Sequence, residues 1–262
     1  MPRIVDTHAH LDLEHFDTDR SNVVAAASEA GVDRVICPAV DAASSRNIVD
    51  LVQKSPNLFA AVGMQPNHCS EAQPGDWERI EELAGSPRVV GIGETGLDRY
   101  WDHTPIEMQR DYFQRHMALS RRLKLPLIIH CRDAHDDLMP ILQASFDQDG
   151  PILGLIHSFS GDVSMLRQYV DVGLYISFAG AVTYRNKKFA SLWEAVAETP
   201  AERLLVETDS PYLTPHPLRG KVKRNEPKNV ILTIERLAEL RGQTPDEIAE
   251  LTTTNAERLF GI

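Results

Sequence analysis

The sequence has few cysteines and no long apolar run. Its three cysteines, Cys37, Cys69 and Cys131, show none of the paired spacings of a zinc site or a disulfide framework, so we expect reduced thiols. No segment approaches the ~18 consecutive apolar residues of a membrane helix. The polar start, MPRIVDTHAHLDLE, is unlike a signal peptide. These absences predict a cytoplasmic protein with no membrane partner.

The sequence also has no excess of positive charge. Its 27 Lys and Arg residues stand against 38 Asp and Glu residues, which gives a formal net charge of -11 at pH 7. Such a chain repels polyanions at long range, so a nucleic acid would have to be held by a local group of cations. The length of 262 residues suits one domain over 1–262, and no obligate protein partner is evident.

Eight short apolar runs alternate with amphipathic stretches, several of which end in glycine. Runs of this length that are rich in Val and Ile are typical of strands covered on both faces. Regular alternation of strand and helix predicts a parallel sheet, and eight repeats favour an α/β fold of the (β/α)8 TIM barrel type. An open doubly wound sheet is the alternative. The runs lie at 3–8, 33–40, 58–64, 88–94, 125–130, 152–157, 173–180 and 203–208.

The segment 245–261 has the pattern of a further helix at the C-terminal end. We expect it to pack outside the last helix of the barrel. The prediction is therefore a single TIM-barrel domain with one extra C-terminal helix.

Imidazole and carboxylate side chains stand where several of the runs end. Active sites of such barrels lie at the carboxyl ends of the strands, and buried charged groups there need partners or a metal ion. Histidine and carboxylate together suit zinc, manganese or magnesium. A polar cluster without metal is the structural alternative. The six candidates, enough for two ions sharing a bridge, are His8, His10, Glu94, His130, His157 and Asp209.

Six motifs spread over nearly the whole chain resemble those of the TatD-type deoxyribonucleases, a branch of the amidohydrolase-like metal-dependent hydrolases. HxH is shared by many amidohydrolases, whereas ETDSPY with IHSFSG and RNEP is more specific to this branch. The motifs are VDTHAHLD (5–12), GIGETGLD (91–98), LPLIIHCRD (125–133), LIHSFSGD (155–162), LLVETDSPYL (205–213) and RNEP (224–227).

The resemblance implies two divalent ions, with Mg²⁺ or Mn²⁺ in function and Zn²⁺ as a further option. It implies a 3′-5′ exodeoxyribonuclease that cleaves the phosphodiester bonds of single-stranded DNA with a hydroxide activated by both metals. By the resemblance Glu94 would bridge the ions. We further expect Asp209 to act as general base, because the attacking water must lose a proton. The first ion would be held by His8, His10 and Asp209, and the second by His130 and His157.

One position departs from the family pattern. Gln65 stands where members often carry a histidine near the substrate phosphate, and glutamine donates a hydrogen bond but carries no positive charge. His68 could substitute if its loop folds inward, although an exposed loop histidine is the commoner case. The predicted substrate contacts are Gln65, Arg132, Arg224 and Asn225, the last two by resemblance.

Several neighbouring side chains have two possible roles. Glu207 and Asp6 either orient a ligand or form salt bridges. Basic residues at 185–188 and 219–224 are either phosphate contacts or solvated cations, and the exposed aromatics after the strands, such as Tyr100 and Trp101, either stack bases or pack under loops.

Two other functions remain open at this stage. The same metal site could hydrolyse an amide, ester or lactone, because an activated hydroxide attacks carbon as well as phosphorus. The barrel could also be a noncatalytic binding protein. Retention of all six candidate ligands argues against the second option.

Overall fold

The computed structural model describes residues 3–262 and contains one sheet of eight strands. The strands follow one another in sequence order, and the described strand pairs are parallel. Their bounds are β1 Ile4–Asp6, β2 Val32–Pro38, β3 Leu58–Val62, β4 Val89–Asp98, β5 Leu127–Arg132, β6 Gly154–Ile156, β7 Tyr175–Phe178 and β8 Leu204–Val206.

A helix follows each strand, which makes the fold a (β/α)8 TIM barrel, as the alternation predicted. The open doubly wound alternative is therefore wrong. The helices are α1 Arg20–Glu29, α2 Ala42–Val52, α3 Asp76–Leu83, α4 Ile106–Leu123, α5 His135–Asp149, α6 Val163–Asp171, α7 Ala190–Glu198, α8 Val230–Arg241 and α9 Pro245–Phe260.

The described chain divides into two compact units, and the prediction of one domain over 1–262 stays a prediction, with Met1 and Pro2 outside the described residues. One unit comprises 3–37, 157–167 and 176–262; the other comprises 38–156 and 168–175.

In the first unit, the segments after β8 and β1 are joined by backbone hydrogen bonds. Thr7 donates its amide to Val206 O at 3.2 Å, and Ala9 and Ser210 form a parallel bridge. Because both strands are short, their hydrogen bonding continues into the residues that follow them. The segments directly after β1 and β8, which carry polar residues, are thereby paired through their backbones.

Helix α9 packs against β1, β8 and α8 of the first unit. Thr244 and Glu247 form a capping box at its start, in which each side chain satisfies a backbone amide. Thr253 donates to Arg3 O at 2.7 Å, and Asn255 donates to Leu204 O at 2.9 Å. The predicted extra helix is present, but it contacts β1 and β8 as well as α8, because its polar side chains satisfy carbonyl groups beside those strands.

In the second unit, β4 is longer than its apolar run predicted. The strand continues past Glu94 to Asp98, and all ten of its residues are buried. Gly96 makes the continuation possible, because its φ is +136° and a Cβ there would lie 2.0 Å from His130 O. Glu94 therefore lies within β4 rather than at its end, and Asp98 is the carboxylate that ends the strand.

The core of each unit lies between its strands and helices and is formed by aliphatic residues such as Ile36 and Ile92. Cys37, Cys69 and Cys131 are free thiols, as predicted. Within residues 3–262, no helix combines the length and apolar character needed to cross a membrane.

Candidate metal centre

Two histidines and one carboxylate converge in the first unit. Asp209 donates its amide to His8 O at 2.8 Å, and His10 donates its amide to Ser210 O at 2.7 Å, so the segments after β1 and β8 run side by side. Asp209 adopts a left-handed φ of +56°, a conformation that aspartate tolerates better than most residues. These backbone contacts place the three side chains on one spot.

The donor atoms of these side chains form a small triangle. His8 Nε2 lies 3.1 Å from His10 Nε2, and Asp209 Oδ1 lies 3.7 Å from the first and 3.6 Å from the second. Donors about 2.1 Å from one tetrahedral or octahedral ion are about 3.0–3.4 Å apart. The separation of the two histidines lies in this range and the two separations to Asp209 exceed it by about 0.2–0.3 Å. The donors are thus close enough together for small side-chain shifts to bring them onto one divalent ion, so the residues suit the metal that the sequence predicted.

His157 joins the same unit directly after β6. Its ring stacks on that of His8, with centroids 4.1 Å apart. Its Nδ1 lies 3.4 Å from Glu207 Oε1, which also accepts the amide of Ser158 at 2.8 Å. Donor atoms of His8, His157 and Glu207 all lie within 4.8 Å of one another.

Glu207 is fully buried and is held ionised by its neighbours. Burial raises its pKa. This effect is outweighed by the hydrogen bond and charge of His157, the charge of His8 and a hydrogen bond from Ser177, so the pKa lies below its usual value. Its Oε2 has no hydrogen-bond partner among residues 3–262. The sequence allowed Glu207 either to orient a ligand or to form a salt bridge. In the structure it contacts His157, a candidate ligand.

Asp6 acts on the backbone rather than on an imidazole ring. Its Oδ1 accepts the amides of His8 at 3.3 Å and Thr208 at 2.9 Å, and its Oδ2 lies 2.6 Å from Thr208 Oγ1. Burial raises its pKa to about 8 although these hydrogen bonds lower it. The salt bridge weighed for Asp6 is absent among the described residues; Asp6 instead joins the segments that carry His8 and Asp209.

The second unit has a histidine between two carboxylates. His130 Nδ1 lies 2.9 Å from Glu94 Oε1, and His130 Nε2 lies 2.8 Å from Asp98 Oδ2. Burial raises the pKa of Asp98, but hydrogen bonds from His130, Trp101 and Asn67 outweigh it and lower the pKa to about 2. Asp98 is therefore an ionised acceptor for a proton on His130 Nε2, which would leave Nδ1 as the nitrogen that holds an ion.

Asp98 was missed in the sequence. It also accepts the amides of Tyr100 at 2.8 Å and Trp101 at 3.0 Å, so it connects His130 with the loop after β4. The only signal was its place at the end of GIGETGLD. An aspartate followed by polar residues has the same pattern as an ordinary turn residue.

Gln65 is buried and caps a short 3-10 helix, Pro66–Glu71. Its Oε1 accepts the amide of Asn67 at 2.8 Å, and the preceding residue, Met64, donates its amide to His116 Nε2 at 2.9 Å. His68 is partly exposed and lies 3.2 Å from the exposed Glu71. The contact with Glu71 therefore competes with the substrate contact predicted as an alternative for His68.

The three remaining predicted contacts have different surroundings. Arg132 is exposed at the end of β5, with its guanidinium 3.8 Å from the centroid of the Tyr100 ring. Arg224 is paired with Asp19 at 2.6 Å and with Glu226 at 3.2 Å. Asn225 is fully buried and donates to Thr208 O at 2.9 Å. Arg132 is free of ion pairs with carboxylates in the described chain, whereas Arg224 is engaged within the protein.

A sequence profile described as TatD related DNase matches residues 5–261. The chain belongs to this family. The predicted resemblance to TatD-type enzymes is confirmed over almost the entire length.

Relatives and a solved structure agree with this membership of the TatD family. A Bacillus subtilis protein named uncharacterized metal-dependent hydrolase YabD is 39% identical over 259 residues, 99% of each chain. A Salmonella typhimurium protein named 3′-5′ ssDNA/RNA exonuclease TatD is 35% identical over 260 residues, 98% of each chain. The crystal structure of YjjV, a TatD homolog from Escherichia coli K12, has a TM-score of 0.90 at 30% identity and covers 99% of this chain and 98% of that one.

These likenesses and the donor clusters make this TatD-family chain a metal-dependent hydrolase. The donor sets in both units are histidine and carboxylate, the chemistry that such a hydrolase requires.

Proposed function

We propose that this hydrolase is an exodeoxyribonuclease that cleaves single-stranded DNA from its 3′ end with two divalent metal ions. The triangle of His8, His10 and Asp209 donors is the observation that carries the proposal, because its sides of 3.1, 3.7 and 3.6 Å suit one ion. The name of the Salmonella relative, an exonuclease of ssDNA and RNA, supports the class of substrate.

The ligand assignment follows the family resemblance. Mg²⁺ or Mn²⁺ is the proposed working ion, and Zn²⁺ suits the same donors. The proposed ligands are His8, His10 and Asp209 for the first ion, His130 and His157 for the second, and Glu94 as the bridge.

Divalent ions at these ligands would lower the pKa of water and neutralise charge on the phosphoryl and leaving oxygens. Asp209 takes the proton of the attacking water as general base. Glu207 and Asp98 hold the rings of His157 and His130, as carboxylates beside ligating histidines do. Asp209→Asn, assayed with enough metal to fill the site, should therefore lose most of the turnover; near-normal turnover with both ions bound would remove the general-base role.

Arg132 is the proposed principal contact to the substrate phosphate. It follows His130 by two residues, is exposed, and forms no ion pair with a carboxylate in the part of the chain that the structure describes. Gln65 contributes a neutral hydrogen bond where a histidine would add charge. A direct contact by Arg224 requires breaking its pair with Asp19, and Asn225 supports the same loop through Thr208 O.

A labelled oligonucleotide assay tests the proposal. Single-stranded DNA labelled at the 5′ end should shorten stepwise with Mg²⁺ or Mn²⁺, and a chelator should stop the reaction. His130→Ala should abolish shortening, while His68→Ala, a change at a partly exposed histidine, should leave it nearly unchanged. Equal activity of both variants would separate the reaction from the metal centre.

Small substrates separate the competing functions. The proposed enzyme should hydrolyse bis(p-nitrophenyl) phosphate and leave N-acyl amides and lactones intact. The reverse preference would identify carbonyl chemistry at the same site. No hydrolysis of either set by protein loaded with metal would indicate a binding protein.

A further inference from the structure

Two loops of the first unit concentrate positive charge on this acidic chain. Segment 180–189 follows β7, and segment 211–224 follows β8. Together they contain seven of the 27 Lys and Arg residues and no Asp or Glu. Six of the seven are exposed, and we call them the basic surface: Arg185, Lys187, Lys188, Arg219, Lys221 and Lys223.

The cations of the basic surface are not paired with carboxylates within residues 3–262. Elsewhere most arginines are paired, as in Arg121 with Asp149 and Arg99 with Asp137. The seventh cation of the loops, Arg224, is paired with Asp19. Unpaired like charges repel one another, and their concentration here produces a local positive field that the net charge of the chain conceals.

The two loops are held together by specific contacts. His216 donates its amide to Thr183 Oγ1 at 2.8 Å, and the guanidinium of Arg219 lies 4.0 Å from the centroid of the Tyr184 ring. Gly180 approaches Leu213 so closely that a Cβ would lie 2.0 Å from Leu213 O. The two segments therefore pack against each other, and their cations belong to adjoining parts of one surface.

The surface is concave at the junction of the loops. A cavity of about 480 Å³ lies there, lined by Arg185 and His216 of the loops and by residues that include Trp193, Glu235, Arg236 and Glu239. This volume is within the usual range of about 300–1,000 Å³ for ligand sites. Of the two acids, Glu239 is paired with Arg236 at 2.5 Å.

The basic surface also adjoins the metal centre along the chain. Segment 211–224 begins two residues after Asp209, and the ring of Tyr212 meets that of His10 edge-on with centroids 6.1 Å apart. A nucleic-acid strand whose end is bound at His10 and Asp209 would extend over the two loops, which carry cations at several points.

We infer that the basic surface binds the phosphate backbone of single-stranded nucleic acid several nucleotides away from the cleaved bond. The inference rests on the proposed function for the identity of the polyanion. Regularly spaced phosphates neutralise several separate cations at once, which a mononucleotide cannot do. The hydrolase therefore prefers oligonucleotides to dinucleotides, although its net charge is negative.

Binding measurements test this inference without relying on turnover. Fluorescence anisotropy would be recorded with metal-loaded full-length protein and oligothymidylates of 4 to 16 nucleotides whose phosphorothioate linkages resist hydrolysis. The variants are Lys187→Gln/Lys188→Gln, Lys221→Gln/Lys223→Gln, and the two combined. Arg46→Gln/Lys54→Gln, at exposed cations outside the loops, is the charge-matched control for each of the two pairs.

The combined variant should bind the 16-mer at least about tenfold more weakly, and each phosphate contact removed should lower the slope of log Kd against log salt by about 0.7. The 4-mer should be affected little, and hydrolysis of bis(p-nitrophenyl) phosphate should stay within about twofold of the unmodified protein, since the lysines lie outside the proposed machinery. The control pair should bind both lengths normally.

Equal affinity and salt slope for the combined variant and the unmodified protein, or equal losses for a loop pair and the control pair, would overturn the inference. It would also fail if polyglutamate or anionic vesicles bound the loops as tightly as the 16-mer. If the loops bind DNA but the protein cleaves none, the proposed function fails and this inference stands; if cleavage occurs and the loop variants bind normally, only this inference fails.

Discussion

Asp98 Oδ2 lies 2.8 Å from His130 Nε2, on the opposite side of the ring from Glu94. The carboxylate is ionised and can only accept a hydrogen bond, so it favours a proton on His130 Nε2. A residue outside the predicted ligand set thus prepares one of the ligands. The same carboxylate holds the turn at Tyr100 and Trp101.

Asp98→Asn should weaken metal binding at His130. The asparagine amide can donate to Nε2 and favour the tautomer with its proton on Nδ1, the nitrogen that faces Glu94. Loss of such a carboxylate typically costs about 10–100-fold in metal affinity or activity. Competition with a chromogenic chelator would measure the change in affinity, and excess Mn²⁺ should restore part of the activity; an unchanged affinity would contradict the orienting role.

Glu207→Gln should weaken metal binding by His157, as Asp98→Asn should weaken it at His130. Glu207 Oε1 accepts the amide of Ser158 and faces His157 Nδ1, and glutamine can retain the first contact through its oxygen while losing the negative charge. We expect a lower metal affinity together with some loss of stability at neutral pH, because a neutral amide replaces the ionised carboxylate that the fold favours. Metal titration and urea unfolding would be compared with those of Glu71→Gln, a change at an exposed glutamate; equal metal affinities would refute the prediction.

His116 should make the fold sensitive to mild acid. It is fully buried, its Nδ1 donates to Tyr112 O and its Nε2 accepts the amide of Met64, so it must be neutral. Burial lowers its pKa from 6.5 to about 4. Because the unfolded chain binds the proton first, stability is complete above pH 6.5 and falls as pH drops toward 4, by about 3 kcal/mol.

Urea unfolding of the protein and of His116→Gln at pH 7 and pH 4.5 would measure this effect. The variant should be less stable at pH 7 because it leaves the buried Met64 amide poorly satisfied. It should nevertheless lose less stability between the two pH values than the unmodified protein. Identical losses would exclude His116 as a source of the acid sensitivity.

Gly96→Ala should destabilise the fold and displace His130. The φ of +136° strains any side chain, and the new Cβ would collide with His130 O on β5. We expect a loss of about 3 kcal/mol or more, because strain and overpacking add. Gly75→Ala is the matched control: φ is +92° there with open space around it, so only strain of about 1 kcal/mol is expected. Thermal unfolding would compare the two variants.

The sequence alone was enough to determine the order of the strands and the chemical identity of most candidate ligands. Short Val- and Ile-rich runs alternating with amphipathic stretches permit few folds other than a parallel α/β barrel. Polar residues at the ends of such runs are costly to bury unless they are hydrogen-bonded, paired or bound to a metal ion. His8, His130, His157 and Asp209 could therefore be identified from the sequence.

The tertiary structure decided how those residues are held and which neighbours share their site. Asp98 resembled a turn residue until β4 was found to continue past Glu94, because hydrogen bonding to β5 extends beyond the apolar run. Arg224 was a predicted phosphate contact, but Asp19, 205 positions away, pairs with it. Which cations remain unpaired depends on carboxylates brought near by folding, so the unpaired cations of the basic surface could be distinguished from a paired one such as Arg224 only in three dimensions.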